Sequence, residues 1–355
     1  ISATGASAGL VFTAGNDINV NNAVRLDGAT ATLAMTYGGD YNIRTPASYA
    51  GTTTGPIYDK DGNPVYEPVA VQKVNPPLAY PRGTKASYGA PAPGPAYDAD
   101  GNPIYELVQG GQATGPVAKQ DTSGGVYGSI TFSNGANTFS MNPNGLVING
   151  QPYRLIHSMT ELAAINNIAN KYALATNLDA GATTYNYVVV GTLGDGSVFT
   201  GLGHTIDGLT IRGSAAAVGQ TSGLFGKVTG STLRDLGVTN VDINVSAPAV
   251  FYSALVGALA GSVGISGATP STVYNVYSSG EITASQFTRL GGLIGYDLGN
   301  STTHVVNTVT NAFSTVNVTT ALTQGTVGGL IGTAANVILT NTHATGNVQG
   351  QAAGG

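Results

Sequence analysis

Two stretches of the chain carry the residue types from which binding and catalytic sites are commonly built. Residues 58–67 read YDKDGNPVYE, and residues 97–106 read YDADGNPIYE, the same decapeptide 39 positions later. A calcium loop, a pair of hairpin turns or a sugar-contacting surface could all use this chemistry. An EF-type loop needs acidic or amide ligands at positions 1, 3 and 5, Gly at 6 and a bidentate Glu at 12. Counted from Asp59, the ligands would be Asp59, Asp61 and Asn63, but Gly62 falls at position 4 and Ala70 at position 12. Counted from Asp98, with Asp100 and Asn102 following, Gly101 falls at position 4 and Gln109 at position 12. The match fails at both diagnostic places, and no metal site is expected.

Asp-Gly-Asn-Pro is turn chemistry, with Gly free to take positive φ. The expected arrangement is two short hairpins, with Tyr58 facing Tyr66 across one and Tyr97 facing Tyr105 across the other. Tyr beside Asp and Asn stacks on sugar faces and hydrogen-bonds hydroxyls, and protein interfaces favour the same residues. The binding or interface candidates are therefore Tyr58, Asp59, Asp61, Asn63, Tyr66, Tyr97, Asp98, Asp100, Asn102 and Tyr105. The structural alternative is a hairpin pair that packs on the flank of the fold or caps an edge.

His204 and Asp207, in GLGHTIDG, raise the question of acid–base chemistry. A glycoside hydrolase needs two carboxylates at a set separation, and a lyase on a β-scaffold needs an acidic calcium cluster with a base beside it. Neither pattern is present, so no catalytic residues, cofactor or metal are expected. A polysaccharide lyase or hydrolase would return only if Asp59, Asp61, Asp98 and Asp100 converged with Lys or Arg in one groove.

These residues must be positioned by an unusual chain. Of 355 residues only 9% are charged, 52 are Gly, and Cys and Trp are absent. Without Cys there are no disulfides, thiolate nucleophiles or Cys-bound zinc. Thirteen scattered Lys and Arg against a net charge of -5 offer no basic groove, so nucleic acid is not an expected partner. No apolar run reaches membrane-spanning length, and the opening ISATGASAGL lacks the regions of a signal peptide. Both ends read as cuts in something longer.

Internal repeats dominate the last 130 or so residues. SGLFG, GALAG, GGLIG and GGLIG end at Gly226, Gly261, Gly295 and Gly332, at intervals of 35, 34 and 37 residues. A second element follows: VYNVYSSGEI at 273–282, VTNAFSTVNV at 309–318 and LTNTHATGNV at 339–348. In register, Asn275, Asn311 and Asn341 share a column, which Asp235 joins more loosely, and Tyr277, Phe313 and His343 share another. Alternation inside each segment is that of strands. Such strands close their backbone hydrogen bonds by stacking repeat on repeat, as a parallel β-solenoid. The Asn column then forms a side-chain ladder and the aromatic column a stack.

The N-terminal stretch repeats faster: LVFTAGNDINV and LAMTYGGDYNI align Gly15 with Gly38 and Asp17 with Asp40, a shift of 23 residues. Strands are also expected at GSITFSNG and FSMNPNGLVING. SMTELAAINNIANKYAL reads as a helix, with Ser158 and Glu161 in capping-box spacing and an apolar face of Leu162, Ile165, Ile168 and Ala169. The expected divisions are coils at 1–45, an extruded hairpin insertion at 46–125, coils at 126–155, a short helix and connection at 156–176, and repeats at 177–355.

YRLIHSMTELAAINN, YALATNLDA, FTGLGHTIDGLTI, SGLFG and the GGLIG units resemble the filamentous-haemagglutinin-like large exoproteins with GLUG-type repeats, and TAGNDINV with its copy resembles their coil repeats. Nearly everything outside residues 46–125 is covered. The resemblance implies an all-β, right-handed parallel β-helix in an adhesin, a biofilm-matrix protein or a stalk presenting a toxin. Members are often exported by two-partner secretion, which implies an outer-membrane secretion partner and an extracellular or bacterial cell-surface location. NPNG at Asn142–Gly145 is similar to a motif of the secretion domain and equally serves as a turn. The family transfers no catalytic residues.

The expected function is thus non-catalytic adhesion or matrix building, with glycan or protein surface ligands. Self-association into fibres, as a structural subunit of an extracellular filament, is the alternative. The sequons at Asn244, Asn300 and Asn317 allow glycosylation, although their occurrence in so Asn- and Thr-rich a chain is expected by chance.

Overall fold

The computed structural model describes residues 1–46 except 6 and 29, then 127–133, 145–165, 170–214, 219–246, 254–264, 269–284, 288–300, 304–320 and 325–350, with four two-residue strands between 57 and 113. The chain forms two compact units, one of Ile1–Gly51 with Gln120–Gly355 and one of Thr52–Lys119. In the first unit nearly everything regular is β-strand, and nearly all pairing is parallel.

The 23-residue period of the N-terminal stretch is a strand register. Ser2–Thr4, Gly9–Ala14 and Ile18–Val20 each lie parallel to their counterparts Ala23–Asp27, Thr32–Tyr37 and Tyr41–Ile43, pairing Ser2 with Arg25, Leu10 with Leu33 and Ile18 with Tyr41. Alternation supplies the inward residues Leu26, Leu33, Met35, Tyr41 and Ile43, all buried. Gly38 and Gly39 are required where the loops nest, because a Cβ on either would overlap the Gly15 carbonyl or the Asp17 carboxylate. The chain then leaves and returns at Ser129–Phe132, which pairs parallel with Ala23–Asp27, and Gly128 N–H donates to Arg44 O at 2.7 Å.

Among the described strands of the first unit, direction reverses once. Leu146–Ile148 continues the N-terminal row parallel to Thr32–Tyr37, then pairs antiparallel with Gln151–Ile156 around Asn149 (φ 46°) and Gly150 (φ 74°). Two successive left-handed residues make the turn whose twist suits a hairpin, and Asn-Gly is the dipeptide that adopts it at least cost. From Gln151–Ile156 onward the row runs parallel through Lys171–Leu174, Val198–Thr200, Thr232–Ser246, Thr272–Ala284, Asn307–Ser314 and Val337–Ala344.

The expected short helix is present, but it takes up less of SMTELAAINNIANKYAL than the capping signal and apolar face suggested. The helix is a single turn, Met159–Ala163; Ser158 Oγ caps it by accepting from Glu161 N–H, and the Glu161 carboxylate reaches back to accept from His157 N–H at 2.6 Å. Leu162 and Ile165 are buried, but Ile168 and Ala169 lie outside the described residues. Lys171–Leu174 is a strand with ladder partners on both sides, and burial of Tyr172 and Leu174 between those neighbours outweighs local helix propensity.

The later repeats align residue for residue. Phe225 pairs with Ala260, Ala260 with Ile294 and Ile294 with Ile331, so the positions preceding the four repeat glycines form one row. A second row pairs Leu255 with Arg289 and Arg289 with Thr326. Behind them Leu233, Val273 and Val309 are fully buried in consecutive strands, each such side chain contributing on the order of 2 kcal/mol by leaving water.

The repeat glycines stand where strands approach too closely for any side chain. A Cβ on Gly257 would lie 2.5–2.7 Å from Ala260 O, Leu293 O and Gly295 N, whereas one on Gly191 meets nothing within 4 Å. We expect Gly257→Ala to cost about 2 kcal/mol or more and Gly191→Ala less than about 0.5 kcal/mol in urea denaturation. Equal effects would mean that the close approach is not a constraint.

Candidate functional site

In the second unit, Ile57–Tyr58 pairs antiparallel with Pro64–Val65, Ile57 opposite Val65 and Tyr58 opposite Pro64. Residues 57–58 and 64–65 are therefore paired as the two arms of a hairpin. The register sets Tyr58 against Pro64, not against Tyr66 as the repeat suggested. A second antiparallel pair, Leu107–Val108 with Gln112–Ala113, follows the second decapeptide in sequence. Asp59, Asp61, Asn63, Tyr66, Tyr97, Asp98, Asp100, Asn102 and Tyr105 lie outside the described residues.

In the first unit the predicted columns meet. The pairing of Arg234 with Tyr274, Tyr274 with Thr310 and Thr310 with Thr340 puts Asp235, Asn275, Asn311 and Asn341 one above another. All four have φ between 51° and 56°. The alternation predicted strand here, but each ladder residue is a left-handed corner that breaks the strand. Asn and Asp tolerate this conformation better than other side-chain-bearing residues, which explains the column's composition. Asn275 Nδ2 donates to Asp235 Oδ1 at 2.6 Å, and Asn341 Nδ2 donates to Asn311 Oδ1 at 3.2 Å.

The second column is also built. The Tyr277 and Phe313 rings stack at 5.2 Å and 11°, and Phe313 and His343 at 5.3 Å and 9°. Burial, with a smaller contribution from Tyr127, pushes the Tyr277 hydroxyl up to about 12. The opening of the column is held by Gly237, where a Cβ would overlap the Tyr277 ring.

Sequence reasoning missed the residue that organises this region, Arg234. Its Nε donates to Asp235 Oδ2 at 2.7 Å, Nη1 to Asp40 Oδ1 at 2.9 Å and Nη2 to Tyr41 O at 2.5 Å. The guanidinium also lies 4.0 Å above the Tyr41 ring and 5.0 Å from that of Tyr274. Burial works against the Arg234 charge, but Asp235, Tyr41 and Asp40 more than offset it and hold the group protonated. For Asp235, wholly buried, burial raises the pKa while Arg234 and the Asn275 amide oppose the rise. The N-terminal segment is fastened here a second time, by Asn275 Nδ2 donating to Ile43 O at 2.9 Å and Thr45 Oγ1 donating to Asn275 Oδ1 at 2.5 Å. The available signal was an Arg-Asp dipeptide in a chain with few charges.

His204 and Asp207 go to different partners. His204 is buried, its Nε2 donating to Ile130 O at 2.9 Å and its Nδ1 3.0 Å from Asn177 Oδ1; burial lowers its pKa, opposed by the Ile130 hydrogen bond. Asp207 Oδ1 accepts from Thr239 Oγ1 at 2.5 Å and Asn240 Nδ2 at 2.8 Å. Among the described residues no group of three or more His, Cys, Asp or Glu could hold a metal ion, and no helix is long and apolar enough to cross a membrane. Asn244 and Asn317 of the sequons are exposed on strands.

Removing one partner of a buried ion pair strands the other. We expect Arg234→Met to cost about 3–5 kcal/mol in urea denaturation. Adding Asp235→Asn should recover most of that loss, because it supplies at 235 the residue found at the other three steps. A double variant no more stable than Arg234→Met would show that the ladder does not accept an amide at this step.

No family model matches the sequence, and no curated protein matches it. One solved structure is similar over part of its length: a chain described as a "putative immunoglobulin A1 protease" from Bacteroides ovatus, 14% identical, with 57% of this chain and 84% of that one covered at a TM-score of 0.30.

Proposed function

We propose that this chain is a section of a secreted or cell-surface exoprotein that works without catalysis, as an adhesin or biofilm-matrix component, and that its repeats form a right-handed parallel β-helix. The observation that carries this reading is the register: equivalent residues 34–37 positions apart pair in parallel through four repeats, from Phe225 to Ile331. A scaffold of this kind converts repeat number into length, and its columns are filled by amides and aromatic rings that serve the stacking itself. The resemblance of the SGLFG and GGLIG units to GLUG-type repeats adds the exported context and the outer-membrane secretion partner. Recognition is assigned to the Tyr-rich decapeptides of the Thr52–Lys119 unit, with glycans as the first ligand class and protein surfaces as the second. Low charge makes each contact modest, and many copies acting together would give the strength.

The filament reading has one observation of its own. Residues 325–350 contain no Asp, Glu, Lys or Arg, so their strands carry none of the charges that discourage strand pairing between molecules.

A glycan array probed with the whole chain, and with a version in which Thr52–Lys119 is replaced by a short Gly-Ser link, tests the first reading. Binding by the whole chain alone supports it, and binding by both moves recognition to the repeats. Silence from both turns attention to assembly. In that case sedimentation velocity should show concentration-dependent growth; a monomer at all concentrations would sink the filament reading.

A further inference from the structure

Asp297 lies in the strand Ile294–Leu298, in a row whose other members are Val228, Val263 and Ala334. It is as fully buried as the two valines. Its Oδ1 accepts from Asn307 Nδ2 at 2.7 Å, and its Oδ2 has no partner. Asn307 is buried as well; its Oδ1 accepts from Ser271 N–H at 2.9 Å, and Ser271 Oγ accepts from Gly230 N–H at 2.9 Å. A polar chain thus runs through the interior from the third repeat to the first, and its outer end is a carboxyl in an apolar row.

Asp297 and Asn307 bracket the connection from 298 to 306. That connection is held by Gly299 N–H donating to Ala335 O at 2.9 Å, by Asn300 and Val305 exchanging backbone bonds at 2.8 and 2.9 Å, and by Asn307 N–H donating to Asn336 O at 3.1 Å. Each partner except Asp297 is neutral. A carboxylate with one oxygen unpaired in such a place costs several kcal/mol, whereas the neutral acid costs far less.

We propose that Asp297 and Asn307 form a proton-operated latch, which holds residues 298–300 and 304–306 against the repeats while the Asp297 carboxyl is protonated and releases them when the proton is lost. The strands beside Asp297 present Ser262, Val263 and Ala334, and the Arg289 guanidinium is stacked 4.6 Å over the Tyr296 ring. His304, in the connection itself, is exposed. Burial, opposed only by the Asn307 hydrogen bond, pushes the Asp297 carboxyl up to about 7 from the ordinary 3.8. Below 3.8 the carboxyl is protonated in both folded and unfolded chains. Between there and about 7 only the unfolded chain loses the proton, so the latch's contribution to stability falls as pH rises through this window and stays lost above it. The inference stands apart from any ligand of the protein.

The test compares thermal melting of the wild type and Asp297→Asn between about pH 4 and pH 8, with amide hydrogen exchange of residues 298–307. We expect the wild-type Tm to fall with pH, the variant to lack most of that fall and to exceed the wild type by at least about 5 °C near pH 8. Exchange in 298–307 should rise with pH beyond the intrinsic rate in the wild type only. Parallel melting curves overturn the proposal. Should Asp297→Asn not fold, a ¹³C-carboxyl NMR titration of the Asp-labelled wild type decides: a resonance titrating near 7 supports the latch, and all resonances titrating near 4 overturn it.

Discussion

A carboxylate buried without a cation would not be tolerated at Asp235, and much of the first unit is arranged around the cation that answers it. Arg234 is next to Asp235 in sequence and gives it one nitrogen, yet its other two donating nitrogens reach residues almost 200 positions earlier in the chain, Asp40 and Tyr41. The same side chain therefore satisfies the first step of the ladder and fastens the 23-residue repeats onto the 35-residue ones. Its protonated state is secured by carboxylates on both sides. The pair is less a source of net stability than a condition of register, since a shift by one residue would leave both charges unpaired in the interior.

Elsewhere the fold uses very little charge. In a parallel stack each side chain has its own counterpart directly above and below, so identical ionised groups would repel down a column, whereas amides, hydroxyls and rings can repeat. This suits the Asn275–Asn311–Asn341 ladder and the Tyr277–Phe313–His343 stack. It also shows why Asp235 and Asp297 stand out: each introduces an acid into a row whose other members are neutral, one answered by a guanidinium and the other by an amide alone.

Much of this was legible because repetition converts a local pattern into spatial contact. Equal spacing of SGLFG, GALAG and GGLIG fixed which residues would pair, and the offset between LVFTAGNDINV and LAMTYGGDYNI did so for the other half. The Asn and aromatic columns followed from the same counting. What repetition does not encode was missed. Arg234, Asp297 and Asn307 matter through partners outside their own repeat class or through departures from it. The left-handed corners were hidden because apolar residues on either side keep a strand-like alternation across the break. Lys171–Leu174 follows a genuine capping signal, but ladder partners at 154–156 and 198–200 decide its conformation, and neither is visible locally. The first decapeptide gave strand pairing across 58–65 correctly, while the facing of Tyr58 and Tyr66 required a register two residues away from the one formed, which the sequence does not state.

The Asn149–Gly150 turn has a consequence for how such a chain could have been assembled by duplication. Because strand polarity inverts there, a whole repeat copied into either side preserves the direction of every neighbour on that side. An odd strand copied across the turn would invert all that follows. The two series can therefore lengthen or shorten independently, each in its own unit of 23 or about 35 residues, with the two-residue reversal as the point that must stay single. Length variation among chains built on this plan should consequently come in two incommensurate steps, not in one.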